Sequence, residues 1–314
     1  MKFVKTFILP LLFITICGWL LHSAYMEVKN RTVEQLNKRQ FIIAETAAKG
    51  IESFFEHYNE VLSQLSKMKG ITTLDEDGKE LMSILYLTHS SEIKGLSRLD
   101  AAGRIIHTCP EVPGALGTDL SSQEHIQKIL QTHEPVLTDV FESIQGFQTI
   151  AYHVPVFEGD IFRGSLGILI PFDQLSRKYL QPIQIGREGY AWMISGKGIE
   201  LYCPVPGHAG KSIFENCKDF PTILAMAREM LNGQQGATSY FHDRVRDGRS
   251  LSVQKQAVFV PVHIGDTFWS IAVATPEEKV LEIIQGFKNR WLLITALIIC
   301  IAVLWNSYLL RAFK

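Results

Sequence analysis

Two uninterrupted apolar runs lie near the ends of the chain. Residues 6–26 and 291–310 contain no Asp, Glu, Lys or Arg. Each run is about 20 residues long, which is the length that a helix needs to cross a hydrocarbon core of about 30 Å. The pattern therefore predicts two transmembrane helices on either side of a large polar segment. The first is in residues 1–27, and the second, with a short tail after it, is in 286–314.

A long amphipathic pattern follows the first run. Apolar residues recur at steps of three or four from Val33 to Met68, and no proline interrupts them. This spacing is typical of one helix, which would be about 60 Å long at 1.5 Å per residue. Residues 28–90 are therefore predicted to form a long signalling helix and its connector. Such a helix could also form the interface of a parallel homodimer.

The rest of the polar segment consists of short β-like runs that are separated by Gly, Pro and Asp, and it repeats itself. The repeated features are a turn glycine, a Cys-Pro pair and a Val-Pro-Val strand. They occur at Gly103 and Gly198, at 109–110 and 203–204, and at 154–156 and 260–262. A period of about 100 residues indicates duplicated domains and not a solenoid. The predicted copies are a membrane-distal module, 91–182, and a membrane-proximal module, 183–285.

Each copy has the same predicted order of elements. A strand, a glycine turn and a second strand lead to a helix, in 122–132 or 219–232, and then to a closing hairpin, in 148–170 or 254–274. Strands joined by tight loops pair in an antiparallel manner, and the helices are expected on one side of the sheet. The predicted fold class is α+β, with a long N-terminal helix that carries two tandem antiparallel sheets between the two membrane spans.

Charge indicates how the chain would lie in a membrane. Lys2 and Lys5 precede the first apolar run, and Arg311 and Lys314 follow the second. Because cytoplasmic flanks are enriched in Lys and Arg, both termini are predicted to be cytoplasmic, with residues 28–290 on the extracytoplasmic side of the inner membrane. A cleaved signal peptide is the alternative for the first run, although 22–24 fits the small-residue cleavage rule poorly.

Composition and cysteine usage narrow the function classes. A net charge of −1 with 20% charged residues gives no basic field for nucleic acid. Three cysteines lie outside the apolar runs, and a Cys203–Cys217 disulfide and buried free thiols both stay open. All histidines except His22 lie outside the first run, which invites a metal or pH-sensing hypothesis. No recognised metal, haem, phosphate or nucleophile motif is present, so no metal, cofactor or catalytic residue is predicted.

The order and spacing of these features resemble the double Cache family over about residues 28–285. The features that carry the resemblance are the Gly103 and Gly198 turns, 117–120, 154–156, 186–192 and the strand 268–276. The resemblance implies two PAS-like sheets stacked on one long helix between two membrane spans. It also implies that the distal module binds a small metabolite, often a carboxylate or an amino acid, and that the proximal module relays the change.

The resemblance also implies where the ligand would bind. Amino-acid-binding members carry Arg and an aromatic residue on the helix after the second strand, where this chain has Gln123 and His125. That departure argues against an α-amino-acid ligand. The regions that line the family's pocket here contain His125, Asp139, Gln148 and Tyr152, and neighbouring strands add His107 and His153.

The expected function is that of a sensor that passes its signal through the second membrane helix. Only four residues, 311–314, follow that helix. A histidine kinase, chemoreceptor or cyclase output is therefore expected on a partner or on a missing C-terminal part. The alternative is a membrane-anchored binding or scaffold protein without signal output. An extracytoplasmic enzyme would need clustered acid, base or nucleophile residues that the sequence does not show.

Overall fold

One long helix supports two antiparallel sheets in the computed structural model. The structure describes residues 9–143, 148–186, 188–243, 252–265 and 267–312. Helix α1 (Leu9–Leu65) runs from the first apolar run through the amphipathic pattern as far as Leu65, so the two predicted segments form a single helix. The connector is formed by α2 (Lys69–Thr73) and α3 (Glu76–His89).

The first sheet has six strands, all paired in an antiparallel manner. Its order is β2-β1-β6-β5-β3. Strand β4 pairs with the same edge of β5 as β3 does, nearer the start of β5. Helix α4 (Glu124–Thr132) connects β2 to β3 and confirms the predicted helix there. The strands are β1 (Gly95–Leu99), β2 (Ile105–Cys109), β3 (Val136–Leu137), β4 (Phe141–Glu142), β5 (Gln148–Glu158) and β6 (Ile161–Pro171).

The second sheet repeats the strand order of the first. After α5 (Phe172–Tyr179), its order is β8-β7-β11-β10-β9, again all antiparallel. The turn glycines Gly103 and Gly198 have φ angles of 83° and 80°, a conformation that glycine adopts without a Cβ penalty. The elements are β7 (Tyr190–Ser195), β8 (Glu200–Tyr202), α6 (Ile213–Asn216), α7 (Pro221–Leu231), β9 (Gly236–Asp243), β10 (Ser252–Ile264) and β11 (Thr267–Pro276). The two predicted sheets on one long helix are confirmed.

Each sheet has helices on both faces, not on one side as predicted. In β7, Ala191 and Met193 belong to the core that α1 shares with both sheets, whereas Trp192 and Ile194 belong to the core under α7. Successive side chains of a strand point to opposite faces, so one strand supplies both cores. The first sheet packs on α1 in the same way. Its other face carries a smaller cluster that includes Ile126 of α4.

Helix α8 (Glu277–Ala312) continues directly from β11 and lies beside α1. Lys29 Nζ on α1 lies 2.7 Å from Glu277 Oε1 at the first turn of α8. Within the described residues, neither of these helices nor any shorter one contains a stretch with both the length and the apolar character of a membrane span. The two predicted spans are therefore not confirmed. Lys2, Lys5 and Lys314, on which the orientation argument depends, lie outside the described residues.

The five cysteines are all free thiols. Cys217 is buried and Cys203 is half-buried. The sequence left open whether these two residues form a disulfide or remain free thiols, and in the structure they are free thiols.

Candidate functional site

A small cavity lies between the first sheet and α4, on the face of the sheet that is turned away from α1. We call it the inner cavity. Its volume is about 70 Å³. Gly95, Ser97 and Ala151 form part of its floor, and small side chains at these positions leave space that larger ones would fill. The cavity is mostly apolar, with a few polar groups from Ser97, Thr108, Gln123, Ser143 and two histidines.

The two histidines face each other across the inner cavity. His153 on β5 and His125 on α4 have ring centroids 5.6 Å apart, and the Phe141 ring lies 5.4 Å from that of His125. His153 Nδ1 is 3.2 Å from Ser165 Oγ. Gly167 pairs with His153 across β5 and β6, and a Cβ there would collide with the imidazole. Glycine at position 167 therefore makes room for this ring.

Burial keeps both imidazoles uncharged. Loss of hydration lowers the pKa of His153 to about 3, with a smaller contribution from the charge of His125. It lowers the pKa of His125 to about 4, which Glu124 only partly offsets. A neutral imidazole offers one hydrogen-bond donor and one acceptor. The inner cavity can therefore hydrogen-bond a polar group that carries no formal charge.

A wider groove opens beside the inner cavity, and we call it the outer groove. Its volume is about 460 Å³. Gln123, His125 and Phe141 line both spaces. The far wall comes from the second sheet, through Lys197 and Trp269 and also Thr267. A molecule in the outer groove would therefore contact both modules.

Charged groups of both signs surround the outer groove. Lys197 Nζ lies 2.9 Å from Glu124 Oε1 and 3.9 Å from Asp139 Oδ2. The bond with Glu124 raises the pKa of Lys197, and the bond with Lys197 lowers that of Glu124. Burial raises the pKa of Asp139, although Lys197 opposes this effect. With Lys128 also in the lining, the groove can pair with a cationic or an anionic group of a ligand.

The structure brings together three of the six residues predicted from the sequence. His125 and His153 line the inner cavity, and His125 and Asp139 line the outer groove. Of the other three, Tyr152 and His107 do not line either space.

Tyr152 lies on the opposite face of β5. Its hydroxyl donates a hydrogen bond of 2.8 Å to Asn59 Oδ1 of α1, and its ring belongs to the core there. His107 on β2 has a pKa that burial lowers, and the charged groups near it are Lys79, Glu111 and Glu76. Gln148 opens β5 opposite Glu142, and its side chain lies outside the described residues.

Several lining residues were not predicted from the sequence. Lys197 was interpreted only as part of a glycine turn, and Trp269 as part of an exit strand. Nothing in the sequence around either residue indicates that it faces the other module, because that contact forms only when the two modules pack together. Phe141 and Ser97 could have been found, since they lie on strands whose neighbours were already candidates.

Comparisons with known proteins agree with this architecture. Residues 53–171 match the family model described as HK/GC/Chemotaxis protein-like, sensor domain. No curated protein matches the chain.

Solved structures share the fold. The ligand-binding domain of the Pseudomonas fluorescens chemoreceptor CtaA, in complex with L-serine, has a TM-score of 0.62 at 15% identity, over 78% of this chain and 99% of that chain. The ligand-binding domain of the Pseudomonas aeruginosa amino acid chemoreceptor PctC, with GABA, has a TM-score of 0.55 at 19% identity, over 76% and 98%. An extracellular ligand binding receptor from Desulfohalobium retbaense has a TM-score of 0.59 at 20% identity. The match covers 75% of this chain but spans only 40% of that receptor.

The matched segment begins on α1 and ends at the last residue of β6, so it contains the first sheet, the inner cavity and α4. Residues 53–171 therefore match a sensor domain of the HK/GC/chemotaxis protein-like family, and the chain has the two-sheet fold of Cache-type extracellular ligand-binding domains.

Proposed function

We propose that this chain is a membrane-anchored extracytoplasmic sensor whose distal module, 91–182, binds a small metabolite. The observation that carries the proposal is the inner cavity together with the adjoining outer groove, which share lining residues and whose far wall comes from the second module. A concave space lined by apolar side chains and a few convergent polar groups is the usual form of a ligand site, and the groove's volume of about 460 Å³ is in the range of such sites. The proximal module, 183–285, would sense the ligand through Lys197 and Trp269.

The charge distribution narrows the ligand class. The neutral imidazoles of His125 and His153 suit an uncharged polar group in the inner cavity. A carboxylate fits better in the outer groove beside Lys197, and an amine fits beside Asp139. The ligand is therefore a small polar metabolite whose charged end, if it has one, points into the groove. The L-serine bound by the related chemoreceptor domain makes amino acids one class to test, although Gln123 and His125 replace the Arg and aromatic residue expected for them.

Exposed apolar surface at both ends of the chain supports anchoring in a bilayer. The first part of α1 and the last part of α8 present large apolar side chains that no core covers. These are Leu12, Phe13, Trp19 and Leu20 on α1, and Leu292, Leu293, Leu297 and Leu304 on α8. In water such a surface is unfavourable by about 25 cal/mol per Å², whereas a lipid environment removes that cost. Two passes would place residues 28–290 outside the inner membrane and both termini in the cytoplasm.

A continuous element connects the outer groove with the second predicted span. Trp269 lines the groove and packs edge-on against Phe55 of α1, with ring centroids 5.4 Å apart. Trp269 lies on β11, and β11 leads without a loop into α8. A ligand that contacts Trp269 differently in two arrangements would shift α8 against α1. Parallel dimerisation through α1 and a cytoplasmic output partner, or an output domain on a missing part, would complete the relay.

Ligand binding is tested with a thermal-shift screen of the full-length chain in detergent against organic acids, amino acids, amines and purines. A ligand that binds only the folded state raises the melting temperature. Gly167→Ala should abolish the shift, because its methyl group pushes the His153 ring into the inner cavity. Tyr152→Phe is the matched control, since Tyr152 faces α1, and should keep the shift. A hit that survives Gly167→Ala but is lost with Tyr152→Phe would place the site on the wrong face of the sheet.

Signal relay is tested separately from binding. Cysteines at positions 29 and 277, where α1 and α8 are joined by an ion pair, would be crosslinked with a bifunctional maleimide with and without the identified ligand. A sensor should change its crosslinking yield when the ligand binds. A ligand that raises the melting temperature but leaves the yield unchanged would favour the passive binding or scaffold alternative.

A further inference from the structure

A second cluster of reactive side chains lies in the second module, away from the inner cavity and the outer groove. Glu200 on β8, Cys203 just after β8 and His208 in the following loop offer donor atoms that all lie within 4.8 Å of one another. Cys203 Sγ is 3.8 Å from His208 Nδ1, and His208 Nδ1 is 3.4 Å from Glu200 Oε1. This cluster was not predicted from the sequence, because the spacing of its residues matches no recognised metal motif.

The distances fit a single tetrahedral ion. With ligand bonds of about 2.0–2.3 Å, two donors at a tetrahedral angle lie about 3.3–3.7 Å apart. Two of the three donor separations are 3.4 Å and 3.8 Å and the third is within 4.8 Å, so an ion would fit after side-chain movements of up to about 1 Å. We propose that Glu200, Cys203 and His208 bind a Zn²⁺ ion, with a fourth position open to water or to a ligand.

The surroundings hold the donors in place. The side chain of Glu200 is 1% exposed, and a buried carboxylate is costly unless a cation or hydrogen bonds compensate it. Asn216 Nδ2 donates to Glu200 Oε1 at 2.7 Å and to the carbonyl oxygen of His208 at 3.0 Å. Asn216 therefore fixes both the carboxylate and the loop that carries the imidazole. This is the role of the outer hydrogen bonds around protein metal sites.

The donor set selects the class of ion. One thiolate, one imidazole and one carboxylate suit Zn²⁺ and related transition metals, whereas Mg²⁺ and Ca²⁺ prefer oxygen ligands alone. Burial, followed by the charge of Glu200, raises the pKa of Cys203, so its thiol keeps a proton before a metal arrives. Binding therefore releases that proton and makes the Cys203 sulfur anionic. His208, with 18% of its side chain exposed, gives the ion access from solvent.

The internal duplication supplies a matched control. Cys109 in the first copy occupies the same Cys-Pro position as Cys203. Cys109 is buried, but the partner of its sulfur is Ser83 Oγ at 3.6 Å, with no place in the His-Cys-Glu cluster. Cys109→Ser should therefore leave metal binding intact.

The test uses the full-length chain in detergent, stripped of metal with a chelator and then titrated with Zn²⁺ against a chromophoric competitor. We expect one equivalent of Zn²⁺ per chain. Cys203→Ser or His208→Gln should weaken binding by more than about 100-fold, and Asn216→Ala by about 10–100-fold, as for outer-shell changes at other sites. Co²⁺ in place of Zn²⁺ should give a sulfur-to-metal charge-transfer band that Cys203→Ser removes and Cys109→Ser retains.

A second measurement avoids any loss of folding in the variants. In the unmodified chain, Zn²⁺ should slow alkylation of Cys203, mapped by mass spectrometry, and leave the rate at Cys109 unchanged. Equal alkylation of Cys203 with and without Zn²⁺, the absence of a charge-transfer band with Co²⁺, or unweakened binding in the Cys203→Ser, His208→Gln double variant would each overturn the proposal.

Discussion

At the scale of single residues, the candidate site depends on which face of β5 a side chain occupies. Tyr152 and His153 are adjacent in sequence, and adjacent strand residues point to opposite faces. Both were predicted to bind ligand, yet they cannot line one cavity. The structure turns His153 towards the inner cavity and Tyr152 towards Asn59 of α1. Strand parity alone was enough to exclude one of the two, but it could not say which.

A pH dependence of stability follows from the burial of His153. An unperturbed histidine has a pKa of 6.5, and burial lowers that of His153 to about 3. Between these values the unfolded chain binds a proton that the folded protein does not, so the stabilisation is complete above pH 6.5 and is lost as the pH falls. The loss approaches about 1.4 kcal/mol for each pH unit.

We expect the free energy of unfolding of the unmodified chain to fall by about 2 kcal/mol more than that of His153→Gln between pH 7 and about pH 5. Urea unfolding monitored by circular dichroism at both pH values measures the difference. His263→Gln, which changes an exposed histidine, is the control and should follow the unmodified chain. Parallel pH profiles for the unmodified chain and His153→Gln would show that His153 is not held neutral by burial.

At the scale of elements, α1 joins both sheets into one core. Its buried positions recur at helical spacing and include Ala44, Ile51, Phe55 and Leu62. Small residues let neighbouring elements approach closely, as at Gly50, where a Cβ would lie 2.7 Å from Tyr179 Cε1 of α5. The helix therefore contributes to the hydrophobic core of both modules. The apolar positions of the amphipathic pattern in the sequence are the residues that face this core.

Substitutions of two isoleucines on α1 should show that only one face of this helix contributes to the core. Ile51 is fully buried, whereas Ile42 is 65% exposed. Ile51→Ala should lower the free energy of unfolding by about 2–5 kcal/mol, because it removes buried methyl groups and leaves a cavity. Ile42→Ala should change it by less than about 0.5 kcal/mol. Chemical denaturation of both variants tests this, and a similar large loss for Ile42→Ala would indicate that a partner, such as a second copy of α1, covers that face.

At the scale of the whole molecule, the two modules meet across the outer groove, and the proposed relay would depend on this contact. Lys197 of the second module reaches Glu124 and Asp139 of the first across the outer groove. The Lys197 and Glu124 side chains are 62% and 84% exposed, so their ion pair contributes at most about 1 kcal/mol to stability. This ion pair therefore positions the two modules relative to each other more than it stabilises the fold.

Lys197→Met should separate stability from relay. We expect a change in the free energy of unfolding below about 1 kcal/mol. We also expect a smaller ligand-induced change in crosslinking between positions 29 and 277. Arg163→Met removes a similarly exposed pair, with Glu158, at the far hairpin and is the control for both measurements. If Lys197→Met leaves the ligand-induced change as large as Arg163→Met does, the groove contact does not transmit the signal.

The sequence by itself determined the long helix, the duplication and the two antiparallel sheets. These features depend on hydrophobic periodicity and on turn residues such as Gly103 and Gly198, which act over a few neighbouring positions. It also identified His125, His153 and Asp139. Only the tertiary structure decided that Tyr152 faces α1, that Lys197 and Trp269 close the groove, and that Glu200, Cys203 and His208 meet. The contacts of Tyr152 and Lys197 join residues that are far apart along the chain, and the meeting of Glu200, Cys203 and His208 depends on how the loop after β8 folds back. Hydrophobic periodicity and turn residues specify neither, because both form only when the sheets, helices and loops pack together.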